Sequence, residues 1–133
     1  MIIADSSVWI DYFNGVKNFQ TDLLDQYLFD GQIQILDIIL AEVLQGFRDK
    51  KDYDIARELM ISLPCHQSLS KKLAVECAGY YRMLREKGVT VRKTIDMIIA
   101  CWCIDANYLL LENDKDFIYI ADILPLNILR EQP

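Results

Sequence analysis

Four carboxylates are the side chains best suited to chemistry in this sequence: Asp5, Glu42, Asp96 and Asp114. Each alone has an ordinary structural use, since an Asp after a strand often caps a helix and the macrodipole favours an Asp in a first helical turn. Brought within a few Å of one another they would repel, and could not all stay ionised without a counter-charge. A hard divalent cation with oxygen ligands meets that need, and Mg²⁺ or Mn²⁺ suits a carboxylate set free of histidine. Other metal chemistry has few candidates. There is one histidine, His66, and the cysteines (Cys65, Cys77, Cys101 and Cys103) form no C-x-x-C pair. Buried free thiols are therefore expected rather than zinc or disulfide chemistry. Asp114-Lys115-Asp116 does not open an EF-hand loop, because the sixth position is Tyr119 where glycine is needed.

The elements that must position these acids alternate between short apolar strands and helices. Ile2 to Ala4 reads as a buried central strand ending at Asp5. A short helix from Val8 to Phe13 stops at Asn14-Gly15, and a second, carrying Phe19, Leu23, Leu24, Tyr27 and Leu28, ends at Asp30-Gly31. Ile33, Ile35 and Leu36 suggest another strand. A helix over Ile39–Phe47 then places Glu42 in about its first turn, and a further one runs from about Asp52 to Ile61. After Pro64, the positions Leu69, Leu73, Ala74, Cys77, Tyr81 and Leu84 predict a long amphipathic helix ending before Gly88. Thr94 is the expected N-cap of a helix over Ile95–Ala106, closed by Asn107. Tyr108 to Leu111 predicts a strand, Asn113-Asp114 opens a loop, and Leu126 to Leu129 is the candidate last strand. This alternation indicates an α/β fold around a mostly parallel sheet. All four acids then fall on the strand-end side, where open parallel sheets bind ligands.

At 133 residues and 53% apolar composition, the sequence has the profile of one globular domain spanning 1–133, with no linker, repeat or low-complexity segment. No apolar run approaches a membrane span, and Met-Ile-Ile-Ala-Asp has no basic n-region of a signal peptide, so a cytoplasmic location is expected. The formal net charge of −6 disfavours polyanion binding at first sight, but it is unevenly spread. Residues 71–93 hold seven bases (Lys71, Lys72, Arg82, Arg85, Lys87, Arg92, Lys93) against Glu76 and Glu86, a net of +5 that leaves −11 elsewhere. Such a run is either a solvated helix face or a phosphate-steering patch.

The segments carrying the acids resemble PIN-domain nucleases, and among them the VapC-type toxins of bacterial toxin–antitoxin pairs. They are I-I-A-D-S-S-V-W-I-D-Y-F at the N-terminus, I-L-A-E-V-L-Q-G-F around Glu42, K-G-V-T-V-R-K-T-I-D-M-I-I-A around Asp96 and L-L-E-N-D-K-D-F around Asp114. The resemblance spans Ile2 to about Leu124. It implies a three-layer α/β/α sandwich with a five-stranded sheet and Mg²⁺- or Mn²⁺-dependent cleavage of RNA. It makes Asp5, Glu42, Asp96 and Asp114 the metal-binding acids and Ser7 the small hydroxyl residue two places after the first acid. One position departs from the pattern: Glu112 stands where many members carry Thr. Asp114 is the expected ligand, with Asp116 or Glu112 able to share its role, and Asp11 is expected on the surface.

Attack of water on a phosphodiester needs an activated nucleophile and a clamp on developing charge. One or two cations lower the pKa of bound water and neutralise phosphate oxygens, so no histidine base is required. Arg92 and Lys93, just ahead of Asp96, are candidates to hold substrate phosphates. The resemblance further implies a VapB-type antitoxin whose C-terminal segment enters a groove at the first helices, and a homodimer. Trp9, Tyr12 and Phe13 stand either in the core or at that groove. The alternatives are a PIN nuclease of RNA processing without an antitoxin and a non-catalytic PIN-like interaction module. A phosphotransfer domain is disfavoured: the haloacid-dehalogenase pattern needs an Asp where Ser7 stands, and a receiver's paired N-terminal acids are missing.

Overall fold

The computed structural model describes residues 1–131. Five strands join one parallel sheet: β1 (Ile2–Ala4), β2 (Ile33–Leu36), β3 (Cys65–His66), β4 (Leu109–Leu111) and β5 (Ile128–Leu129), in the order β3-β2-β1-β4-β5. The helices are α1 (Ser6–Phe13), α2 (Phe19–Phe29), α3 (Asp37–Leu44), α4 (Lys50–Ile61), α5 (Lys71–Glu86), α6 (Thr94–Ala106) and α7 (Lys115–Ile123).

The order of the strands follows from chain length and handedness. β1, β2 and β3 step toward one edge, whereas β4 returns to the far side of β1 and β5 continues outward. Right-handed crossovers place the helices of these two opposite walks on opposite faces of the sheet. Packing agrees, since α1 contacts α2 and α3, α3 contacts α4, and α6 contacts both α5 and α7. The result is the expected α/β/α sandwich. β1 is covered on both faces, so Ile2, Ile3 and Ala4 are all at most 1% exposed and the strand reads as an unbroken apolar run.

Several boundaries differ from the sequence reading. Thr94 does not cap α6; Lys93 holds the cap position with extended backbone, and Thr94 is already the first helical residue. Glu42 sits one turn further along than expected, because α3 begins at Asp37 directly after β2. Asn113 and Asp114 lead at once into α7, whose N-cap is Asp114. β3 is a two-residue strand that Pro64 concealed. Asn107 does end α6, adopting the left-handed conformation (φ 57°) that asparagine tolerates better than most residues. Cys77, Cys101 and Cys103 are buried thiols as expected, while Cys65 is exposed on the edge strand. No helix among the described residues is long and apolar enough to cross a membrane.

Candidate functional site

The strand order reverses at β1 and β4, and their carboxyl ends open the crevice where the acids gather. Ala4 pairs with Leu111, and the Asp5 amide donates to the Leu111 carbonyl at 2.9 Å. This register sets Asp5 level with Glu112, with Asp114 two residues beyond. α6 runs back toward the start of β4, which puts its N-terminal turn, and Asp96 in it, at the same edge. α3 leaves the end of β2 and brings Glu42 in from the other side.

The acids form two connected wings. In the first, Asp5 is 5% exposed and its Oδ2 accepts from the Ser7 hydroxyl at 2.7 Å. The Ser6 hydroxyl donates to Glu42 Oε1, tying α1 to α3. Burial pushes the Asp5 carboxyl up, against the Ser7 hydroxyl, and Glu42 adds to the rise. In the second wing, Asp96, Asp114 and Asp116 each present an oxygen within 4.8 Å of the others. Asp114 Oδ1 accepts from the Asp116 amide at 3.0 Å, the cap bond of α7. The Asp114 amide in turn donates to Glu112 Oε2 at 2.8 Å.

Asp96 joins the wings. Its carboxyl is pushed up to about 7, first by burial and then by the charges of Asp5 and Asp114, with Lys93 opposing. Its Oδ2 is buried without a hydrogen-bond partner. Among the described residues no lysine or arginine forms an ion pair with any of these acids. A buried carboxylate oxygen with neither a hydrogen-bond donor nor an ion-pair partner is unfavourable in isolation. Clustered acids with one open oxygen in their midst are the donor set a hard divalent cation takes.

Glu112 is 4% exposed, and burial pushes its carboxyl up. It holds the Asp114 loop through the amide just described, which places it as a brace behind the acids. Asp11 is half-buried and accepts from the side-chain amides of Asn18 and Asn113, at 3.4 and 3.3 Å, so it ties α1 to the same loop. Ser6 was missed by sequence reasoning, although the Ser6-Ser7 pair directly after Asp5 is a visible signal. Arg92 and Lys93 line a pocket of about 470 Å³ together with Asn113, Asp114, Lys115, Asp116 and Tyr119. Trp9 is fully buried and its ring stacks on Phe13 at 5.7 Å, so it belongs to the core. Tyr12 and Phe13 remain half-buried.

The chain as a whole matches a known family. The PIN domain model matches residues 2–123. The chain belongs to the PIN domain family. VapC ribonuclease Mb1587 of Mycobacterium bovis is 30% identical over 131 residues, covering 95% of this chain and 96% of that protein. Ribonuclease VapC11 of Mycobacterium tuberculosis matches to the same extent. Among solved structures, VapBC2 from Rickettsia felis, bound to a DNA fragment from their promoter, aligns with a TM-score of 0.77 at 20% identity, over 99% of this chain and 100% of that one. FitAcB from Neisseria gonorrhoeae aligns with a TM-score of 0.72 at 17% identity, over 98% and 97%. These likenesses carry the PIN fold across nearly the whole length.

Proposed function

We propose that this PIN-domain protein is a Mg²⁺- or Mn²⁺-dependent endoribonuclease and the toxin of a type II toxin–antitoxin pair. The observation that carries the reading is the buried, unpartnered Asp96 Oδ2 amid the carboxylates of Asp5, Asp114 and Asp116. In this reading Asp5, Glu42, Asp96 and Asp114 are the catalytic acids, and Asp116 shares the metal with Asp114. The bound cation supplies an acidified water and neutralises charge on the phosphate. Ser7 and Ser6 orient Asp5 and Glu42, and Glu112 fixes the loop that presents Asp114. Arg92 and Lys93 hold substrate phosphates at the pocket mouth, where Lys93 already lies close enough to lower the Asp96 pKa.

The VapC ribonuclease relatives at 30% identity support the nuclease assignment, and the VapBC2 and FitAcB complexes support a cognate VapB-type antitoxin. A groove between α1 and α3, lined by Ile10, Asn14, Val43, Gly46 and Phe47, is a suitable seat for an apolar antitoxin segment. We assign a homodimer and a cytoplasmic location on the same family grounds. The test is cleavage of single-stranded RNA by purified protein. Activity should require Mg²⁺ or Mn²⁺, vanish in excess EDTA, and be lost in folded Asp5→Asn and Asp96→Asn variants. Cleavage that persists in EDTA, or full activity in either variant, overturns the metal mechanism.

A further inference from the structure

A second cavity adjoins the N-terminal turn of α6 on the side facing α5. It has a volume of about 400 Å³ and is lined by Ala74, Cys77, Ala78, Tyr81, Arg82, Arg85, Thr94 and Met97, within the size range of small-ligand sites. Its floor is apolar, formed by buried Cys77 and Met97. At its rim stand two exposed arginines, and the Arg85 guanidinium lies over the Tyr81 ring, 5.6 Å from its centroid. Neither arginine forms an ion pair among the described residues.

We infer that this cavity is a nucleotide subsite that takes a base and phosphate of the single-stranded RNA flanking the scissile bond. The inference rests on the ribonuclease reading above. Three observations carry it. The cavity shares Thr94 and Met97 with the very turn that presents Asp96, so it lies across a helix about 10 Å wide from the acids. The arginines belong to the 71–93 segment of net charge +5 on a body otherwise at −11, so this face attracts a polyanion that the rest of the surface repels. Finally, an apolar floor with a half-buried tyrosine and a planar guanidinium on it offers a stacking surface for a base, and Arg82 offers a donor to its phosphate. The pocket at Arg92, Lys93 and Tyr119 lies on the other flank of Asp96, so the strand would pass over the acids from one to the other.

The test compares Arg82→Ala/Arg85→Ala with wild type and with Lys51→Ala/Arg57→Ala, an equal charge change on exposed α4 positions. Binding of a fluorescein-labelled, mixed-sequence single-stranded RNA is measured by anisotropy in the non-cleaving Asp96→Asn background across a salt series. The α5 double variant should bind about tenfold or more weakly, with a salt slope smaller by about 0.7 for each phosphate no longer neutralised. In the active background its KM for a long RNA should rise more than its kcat falls. Tyr81→Phe should keep most of the affinity and Tyr81→Ala should lose it. Unchanged affinity and KM in the α5 variant, or losses equal to those of the α4 control, overturn the subsite while leaving the ribonuclease reading intact. A change of mass in solution without a change in RNA affinity also overturns it, and assigns the face to a second copy. Absence of metal-dependent cleavage by wild type removes both readings.

Discussion

Asp96→Asn should make the metal-free protein more stable and the metal-loaded protein less so. The Asp96 carboxyl is buried and pushed up to about 7, with burial and its acidic neighbours as the causes. A tenfold change in proton affinity corresponds to about 1.4 kcal/mol, so the rise from 3.8 to about 7 represents roughly 4 kcal/mol. Solvent and salt at the open mouth of the crevice reduce this to about 2 kcal/mol. Because the folded pKa exceeds the unfolded one, the folded state holds the proton more tightly. The penalty is therefore absent below about pH 4, grows as pH rises, and is fully present above about pH 7. Asparagine carries no charge at any of these values, so it escapes both the burial penalty and the repulsion from the neighbouring acids.

Thermal unfolding in EDTA at pH 8 should thus show the variant melting about 5–10 °C higher than wild type, with the gap narrowing toward pH 5. In Mn²⁺ at about a hundred times its Kd, wild type should recover about 2.7 kcal/mol and the variant little. The order of the two melting temperatures then reverses. Glu58→Gln, an equal charge change at an exposed position, controls for net charge and should leave both curves where they were. A variant no more stable than wild type at pH 8 in EDTA, or one stabilised by Mn²⁺ as much as wild type, refutes the reasoning.

Other outcomes follow from the same geometry. Glu112→Ala leaves the Asp114 amide without its acceptor in a buried setting, so urea unfolding should show a loss of about 1–3 kcal/mol and Mn²⁺ titration a weaker site. Glu112→Gln keeps an acceptor oxygen at that amide and should retain most of both. Ser7→Ala removes the 2.7 Å bond to Asp5 and should lower kcat about tenfold with the circular dichroism spectrum unchanged. Charge reversal at Arg92 and Lys93 should weaken RNA binding and flatten its salt dependence, whereas an unchanged slope would return these residues to a solvated face.

The order of strands and helices was legible because central parallel strands, buried on both faces, leave short unbroken apolar runs such as Ile2–Ala4 and Leu109–Leu111. β3 was not legible, since two residues at a half-exposed edge carry no pattern. The helix over Lys115–Ile123 was concealed for a different reason: Asp114 reads equally as a loop residue or a cap, and only Phe117 and Ile120 mark the buried face. At the site, strand-end position, the want of histidine and cysteine ligands and the resemblance to the PIN pattern together made the four acids the candidates. Their division into two wings was not legible, because Asp116 enters the cluster only through the turn that Asp114 caps. The use of Glu112 as a brace likewise depends on the register of Ala4 with Leu111, a pairing between residues far apart in sequence.

The hydrogen bonds also explain why Asp96 is the acid on which the site turns. Asp5, Glu42, Asp114 and Glu112 each engage one oxygen with a donor from their own surroundings: the Ser7 hydroxyl, the Ser6 hydroxyl, the Asp116 amide and the Asp114 amide. Those bonds hold each carboxylate in place before any ligand arrives. Asp96 stands at a helix N-terminus, where the macrodipole offers some help, yet its buried Oδ2 has no donor at all. A serine or asparagine beside it would have satisfied that oxygen and stabilised the folded chain. The open position instead leaves Asp96 stable in only two ways, by holding a proton or by holding a cation. Asp5, Glu42, Glu112 and Asp114, each anchored by a donor, thus shape the site, and Asp96, buried with an unpartnered oxygen, makes its stability depend on what fills it.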